Sequence, residues 1–290
     1  MEWVDALRES PALLQGAVVL LGLAVGSFLN VVAARLPVMM ERAWREDCAE
    51  ITGAAPPVPV ELISLPQPGS RCPRCGHAIR AWENIPVLSY LLLRGRCSAC
   101  REPISARYPV VEAATALLSW VVAWRLGWAW QLPAALLLTW ALVALTLIDI
   151  DRQLLPDQIT LPFLWLGLLL STAGVYTDPV SSILGAAAGY LALWSVYHLF
   201  RLLTGKEGMG YGDFKLLALF GAWLGWQLLP QIILLSALVG SVVGVGLVVL
   251  RRHGRDVPIP FGPYLAAAGW VAVLWGGQIN AAYLQFAGIG

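Results

Sequence analysis

Long apolar runs separated by short polar breaks organise this chain. Eight of them, at residues 11–34, 108–127, 131–148, 158–177, 180–203, 213–229, 231–250 and 261–286, show helical composition without two-residue alternation. At 1.5 Å per residue, a helix of roughly 20 residues crosses a hydrocarbon core of about 30 Å. The pattern predicts an all-α polytopic membrane protein with about eight transmembrane helices. The first run lacks a basic leader and an A-x-A-like cleavage site, so it reads as a retained helix rather than a signal peptide. The only sizeable polar segment is 35–107, between the first two runs. It begins in helix-forming residues and continues into a proline-rich connector at Ala54–Pro59. The chain thus divides into an N-terminal helix (1–34), a polar loop (35–107) and a seven-helix membrane region (108–290).

Composition agrees with this reading. The 290 residues are 58% hydrophobic and only 13% charged, with a mean hydropathy of +0.70. Soluble domains carry about 25% charged residues. In lipid only helices and closed barrels satisfy the backbone, and the unalternating runs exclude a barrel. The net charge of +1 says nothing about partners, and nothing calls for a nucleic acid. The distribution of Lys and Arg says more. Threading eight spans puts seventeen of the 19 cationic residues on one side, ten of them in 35–107, and only Arg8 and Arg125 on the other. The positive-inside rule makes the loop cytoplasmic and leaves both termini outside.

The same threading brings two acidic clusters to the cytoplasmic ends of their helices: Asp149-Ile150-Asp151 with Asp157, and Asp213 at the end of Gly208-Met209-Gly210-Tyr211-Gly212-Asp213. Carboxylates at the membrane edge are costly and mark function. Two that meet can share a proton, one acting as base and the other as acid. Asp149 and Asp213 are the candidate pair. Asp151 lies about 200° around the helix from Asp149, and reads as a solvated loop carboxylate. Asp157 follows Pro156 at the start of a run, the signature of an N-cap. Asp213 also has a capping reading, since an acid at a helix start complements the dipole. The glycines at 208, 210 and 212 favour chemistry instead, by letting backbone such as an extended peptide approach closely. Glu112 reads as a buried carboxylate paired with an arginine, and His198 as a packed residue.

Within the polar loop, Cys72-Pro-Arg-Cys75 and Cys97-Ser-Ala-Cys100 form two C-x2-C pairs separated by 21 residues. This is the spacing of a four-cysteine zinc ribbon. A cytosolic location argues against disulfides. Cys72, Cys75, Cys97 and Cys100 are the expected ligands of a closed, structural zinc, which supplies folding energy to a segment too small for a good core. His77 is an alternative ligand, and Cys48 stands alone.

These residues resemble the type IV prepilin leader peptidases, the bifunctional peptidase/N-methyltransferases of pilus and type II secretion systems. The resemblance runs essentially end to end: Gly26–Val32 with Arg35-Leu-Pro37, both cysteine pairs, Trp82-Glu-Asn-Ile-Pro86, the stretch from Asp149 to Asp157, Gly208–Lys215 and Pro260-Phe-Gly-Pro-Tyr264. The G-x-G-D of Gly210–Asp213 is shared more loosely by presenilin-like intramembrane aspartyl proteases. The resemblance implies a catalytic pair at Asp149 and Asp213 in a multi-pass protein of the bacterial inner membrane. It implies prepilin and pseudopilin substrates, cut on the cytoplasmic side after Gly and before a residue that is usually Phe. It also implies methylation of the new amino terminus by S-adenosylmethionine, associated with the cysteine-bearing loop and, more loosely, with Gly95. A transporter with acids in broken helices, or a zinc-anchored scaffold, would instead yield neither product; a transporter's sites would lie near mid-membrane in related halves.

Overall fold

The computed structural model describes residues 2–53, 63–249 and 260–288. Among them, ten α-helices carry the fold: α1 (Glu2–Glu9), α2 (Pro11–Thr52), α3 (Leu88–Leu92), α4 (Arg107–Leu126), α5 (Gln131–Arg152), α6 (Asp157–Thr172), α7 (Pro179–Thr204), α8 (Tyr211–Leu224), α9 (Leu229–Val249) and α10 (Gly262–Phe286). The described residues contain only two isolated antiparallel bridges, Arg71 with Ala78 and Arg96 with Pro103. The fold is all-helical, as expected. Among the described residues, five segments are long and apolar enough to cross a membrane: α2, α4, α5, α7 and Trp226–Gly246, which includes most of α9. The chain reads as a multi-pass membrane protein.

Each of the eight apolar runs contains a helix, but their lengths differ from an even set of spans. α2 has 42 residues, about 63 Å at the helical rise, so it extends well beyond its apolar half and beyond the expected end at 34. α6 and α8 have only 16 and 14 residues, about 24 and 21 Å. The proline-rich connector and the cations Arg251, Arg252 and Arg255 lie outside the described residues.

The chain forms two compact units, Met1–Trp128 and Ala129–Gly290. In the first, α2 packs on α4 through a G-x-x-x-G face. A methyl on Gly22 would lie 2.8 Å from the Ala116 Cα, and one on Gly26 2.8 Å from the Glu112 Cα. Small residues at this spacing let backbones approach where lipid offers no hydrophobic contrast. Asn30 donates to the carbonyls of Gly26 and Tyr108. One turn further on, Arg35 donates to those of Ser64, Leu65 and Pro68. The motif from Gly26 to Arg35 thus anchors α4 and the loop.

In the second unit α8 is the central element. Every residue from Leu216 to Leu224 is buried, together with Asp213 and Phe214. A helix that is apolar all round belongs inside other helices. α6, α7, α9 and α10 all pack on it. On α7, Gly185 meets Gly221 and Gly189 meets the Leu217 carbonyl, so the two backbones touch. Ser182 donates to the Ala222 carbonyl at 2.6 Å, and the Trp223 indole to that of Phe163 at 2.8 Å.

Candidate active site

The burial of α8 fixes where Asp213 sits. Its helix starts at Tyr211 with Gly210 as N-cap, which puts Asp213 at the third position. There its carboxylate accepts from the Gly210 amide, half of a capping box. The capping reading is therefore met by one interaction, and Oδ1 remains buried without a partner. Asp149 lies in the last turn of α5, which ends at Gln153 in the left-handed conformation. It is 5% exposed and accepts from the Gly262 amide at the start of α10. Its Oδ2 is likewise buried and unpartnered. Such orphaned oxygens are rare in native interiors.

The structure brings these two acids into one neighbourhood. Asp213 lies within electrostatic reach of Asp149, and Leu155 joins their surroundings. A methyl at Gly212 would sit 2.7 Å from the Leu155 Cβ. One at Gly262 would sit 3.2 Å from the Leu155 Cδ2 and 2.5 Å from the Asp149 Oδ2. Asp151 is exposed, on the other side of α5 from buried Asp149. Asp157 is not the N-cap of α6. Pro156 holds that position, and Asp157 occupies the first turn. Both its oxygens accept from the Lys215 ammonium at 2.7 Å, tying the first turn of α6 to the second turn of α8.

The three glycines before Asp213 divide in role. Gly212 is pressed against Leu155 and Gly208 against the Phe200 ring, whereas Gly210 meets nothing nearer than the Asp213 Oδ2 at 3.9 Å. Two of the three thus serve the chain's own packing, and only Gly210 faces open space. Leu155, Lys215 and Gly262 gained no individual role from sequence. Leu155-Pro156-Asp157, the lysine after G-x-G-D and the helix-opening Gly262-Pro263 were the available signals.

In the first unit the four cysteines converge. The sulfurs of Cys72, Cys75, Cys97 and Cys100 lie within 4.8 Å of one another, and Cys72 and Cys100 are 3.8 Å apart. A tetrahedral zinc with bonds of about 2.3 Å spaces its sulfurs by roughly 3.8 Å, so the donors fit such an ion. The two cysteine turns are built alike. The amides of Gly76 and Arg101 return to the carbonyls of Cys72 and Cys97, and both residues are left-handed, at φ 72° and 63°. His77 is not part of the sulfur cluster. Its Nε2 lies 3.2 Å from Glu83 and 3.3 Å from Ser98. The Ser98 hydroxyl, then the Arg80 amide and His77, hold the Glu83 carboxyl down to about 2.

Other expectations resolve locally. Among the described residues Glu112 pairs with no arginine; its Oε2 accepts from the Val87 amide at 2.8 Å. His198 packs between the rings of Trp194 and Tyr197, as expected. Cys48 is exposed on α2. Gly95 is left-handed at φ 65°, and a side chain there would meet the Tyr90 ring at 2.9 Å. Its identity is thus explained by the turn it makes between α3 and the second cysteine pair.

Comparison with known proteins covers nearly the whole chain. Residues 20–126 match the bacterial peptidase A24 N-terminal domain, and residues 136–245 the type IV leader peptidase family. A protein from Pseudomonas aeruginosa named prepilin leader peptidase/N-methyltransferase is 57% identical over 99% of both chains. Proteins of the same name from Aeromonas hydrophila and Dichelobacter nodosus are 58% and 51% identical, over 94% and 92% of this chain and 95% and 93% of theirs. No solved structure matches. With both domain models matched in order and relatives of this identity spanning it, the chain belongs to the type IV leader peptidase family.

Proposed function

We propose that this protein removes the leader peptide of type IV prepilins and pseudopilins after Gly, and then N-methylates the new terminal residue, usually Phe. The observation that carries the peptidase reading is the pair of buried carboxylates, each with an orphaned oxygen, in one neighbourhood of the second unit. Asp149 and Asp213 hold a water between them. One carboxylate takes its proton as the oxygen attacks the scissile carbonyl, while the other donates a proton to the carbonyl oxygen. The resulting diol collapses with protonation of the leaving amine, without a covalent intermediate. Gly210 leaves room for extended substrate backbone beside Asp213.

Methyl transfer is assigned to the cysteine-bearing segment of the first unit, with Gly95 as its associated position. The new amine attacks the methyl of S-adenosylmethionine, releasing S-adenosylhomocysteine and a proton. Cys72, Cys75, Cys97 and Cys100 would hold a zinc, which would supply folding energy to that segment. The protein lies in the bacterial inner membrane with 35–107 cytoplasmic and both termini periplasmic, and α6, α8 and α10 complete an eight-helix set. α8 needs no full span of its own, because it is sheathed by protein rather than lipid.

The test is Asp149→Asn and Asp213→Asn, assayed on a prepilin with labelled methyl donor. Each isosteric change should abolish cleavage while the protein remains inserted. Near-normal cleavage by either variant would remove the pair from the mechanism.

A further inference from the structure

The first unit carries an apolar surface that the peptidase reading leaves unused. Leu88, Leu91 and Leu92 of α3 lie at i, i+3 and i+4, on one helix face, and are 58%, 64% and 78% exposed. Trp82 and Ile85, just before the helix, are 51% and 45% exposed. The Ser89 hydroxyl donates to the Trp82 carbonyl at 2.7 Å, so this stretch is held as one folded piece. The segment that carries it is basic in sequence: seven Arg stand from 71 to 107, against only Glu83 and Glu102. Arg80, Arg94 and Arg96 are all exposed.

A second feature fixes where this surface stands. The Val87 amide that precedes α3 is bonded to the Glu112 carboxylate, inside the second turn of the membrane-spanning α4. Val87 is held there at φ 61°, unfavourable for a β-branched residue. Glu112 lies five residues along α4 from Arg107, about 7.5 Å at the helical rise. Interfacial elements bury their apolar face about 5–10 Å into the boundary between headgroups and acyl chains. We infer that Trp82, Ile85 and the leucine face of α3 form a foot seated in an anionic lipid surface, pinned at that depth by Glu112. The leucines and Trp82 enter the boundary, where tryptophan is favoured, and the arginines meet acidic headgroups. The foot holds the cysteine-bearing segment down against the bilayer. The inference rests on the membrane-spanning reading of α2 and α4, not on the catalytic pair.

The experiment places p-benzoylphenylalanine at Leu91 or Leu92 of the full chain, in nanodiscs of phosphatidylethanolamine and phosphatidylglycerol, with adducts read by mass spectrometry after irradiation. Lipid adducts at both positions should exceed those at exposed Ala99 several-fold, and should fall in discs of phosphatidylcholine alone. Glu112→Ala, with zinc content unchanged, should lower the yield several-fold. Adducts to protein only, or yields equal to that at Ala99, would overturn the foot. Yields insensitive to lipid charge or to Glu112→Ala would overturn the acidic partner or the pin respectively. The readout needs no turnover, so its failure leaves the peptidase reading standing.

Discussion

Gly262→Ala tests the geometry of Asp149 without touching a titratable group. Gly262 is the first residue of α10, so alanine fits its backbone and gains up to about 1 kcal/mol in helix propensity. The new methyl, however, would lie 2.5 Å from the Asp149 Oδ2, 3.1 Å from its Cγ and 3.2 Å from the Leu155 Cδ2. Real Cβ atoms essentially never approach closer than 3.0 Å, so the carboxylate must retreat by at least 0.5 Å. Leu155, itself against Gly212, blocks one escape route. A displacement of about 1 Å at a reacting group costs roughly 100-fold, so a fall in kcat of tens-fold to 100-fold, about 1.4–2.7 kcal/mol, is expected. KM should change little, because the displaced group is the one proposed to hold the water, not a peptide contact. Steady-state cleavage of a prepilin peptide in detergent gives both constants. Gly277→Ala, on the same helix with nothing within 4 Å, should leave both intact. An unchanged kcat for Gly262→Ala would refute the claim that this glycine sets the position of Asp149.

The glycines before Asp213 should separate by assay. Gly212→Ala overpacks Leu155 and should destabilise by about 1–3 kcal/mol in thermal unfolding, whereas Gly210→Ala should cost no more than about 1 kcal/mol yet raise KM if substrate lies against it. Cys72→Ser should lower the bound zinc per chain, and acidification should release the metal from the unaltered protein as its thiolates take up protons; metal analysis reads both. Asp157 and Lys215 are 48% and 29% exposed, so Lys215→Ala should change stability by less than about 1 kcal/mol, and exchanging the two charges should recover any loss of activity.

What the sequence made legible was whatever depends on local pattern. The apolar runs located every long helix, and the two C-x2-C pairs located the sulfur cluster, because thiolate spacing is itself local. Asp149 and Asp213 stood out because carboxylates at the ends of apolar runs are unusual. The misread details depend on which atoms meet across the fold. Glu112 accepts from a main-chain amide, and no side-chain partner search finds an amide. Asp157 sits one residue inside its helix because Pro156 takes the capping position, a shift of the size by which helix boundaries ordinarily differ. The individual roles of Leu155 and Gly262 depend on the approach of α5, α8 and α10, which no periodicity reports.

The length of α8 follows from the same packing that orders the site. A carboxylate at the start of a lipid-facing helix could shift with that helix in a fluid bilayer. Here α8 is short enough to be enclosed and apolar on every side. Glycines at 185, 189 and 221 bring its backbone against that of α7. Close contact between main chains leaves few rotamers through which the helix could slide. The Asp157–Lys215 pair joins its second turn to α6, and Leu155 fills the space between Gly212 and Gly262. Each contact restrains the start of α8, where Asp213 uses one interaction to cap the helix and keeps Oδ1 unpartnered. The cap thus occupies one oxygen of the carboxylate and leaves Oδ1 free for the water of the proposed mechanism.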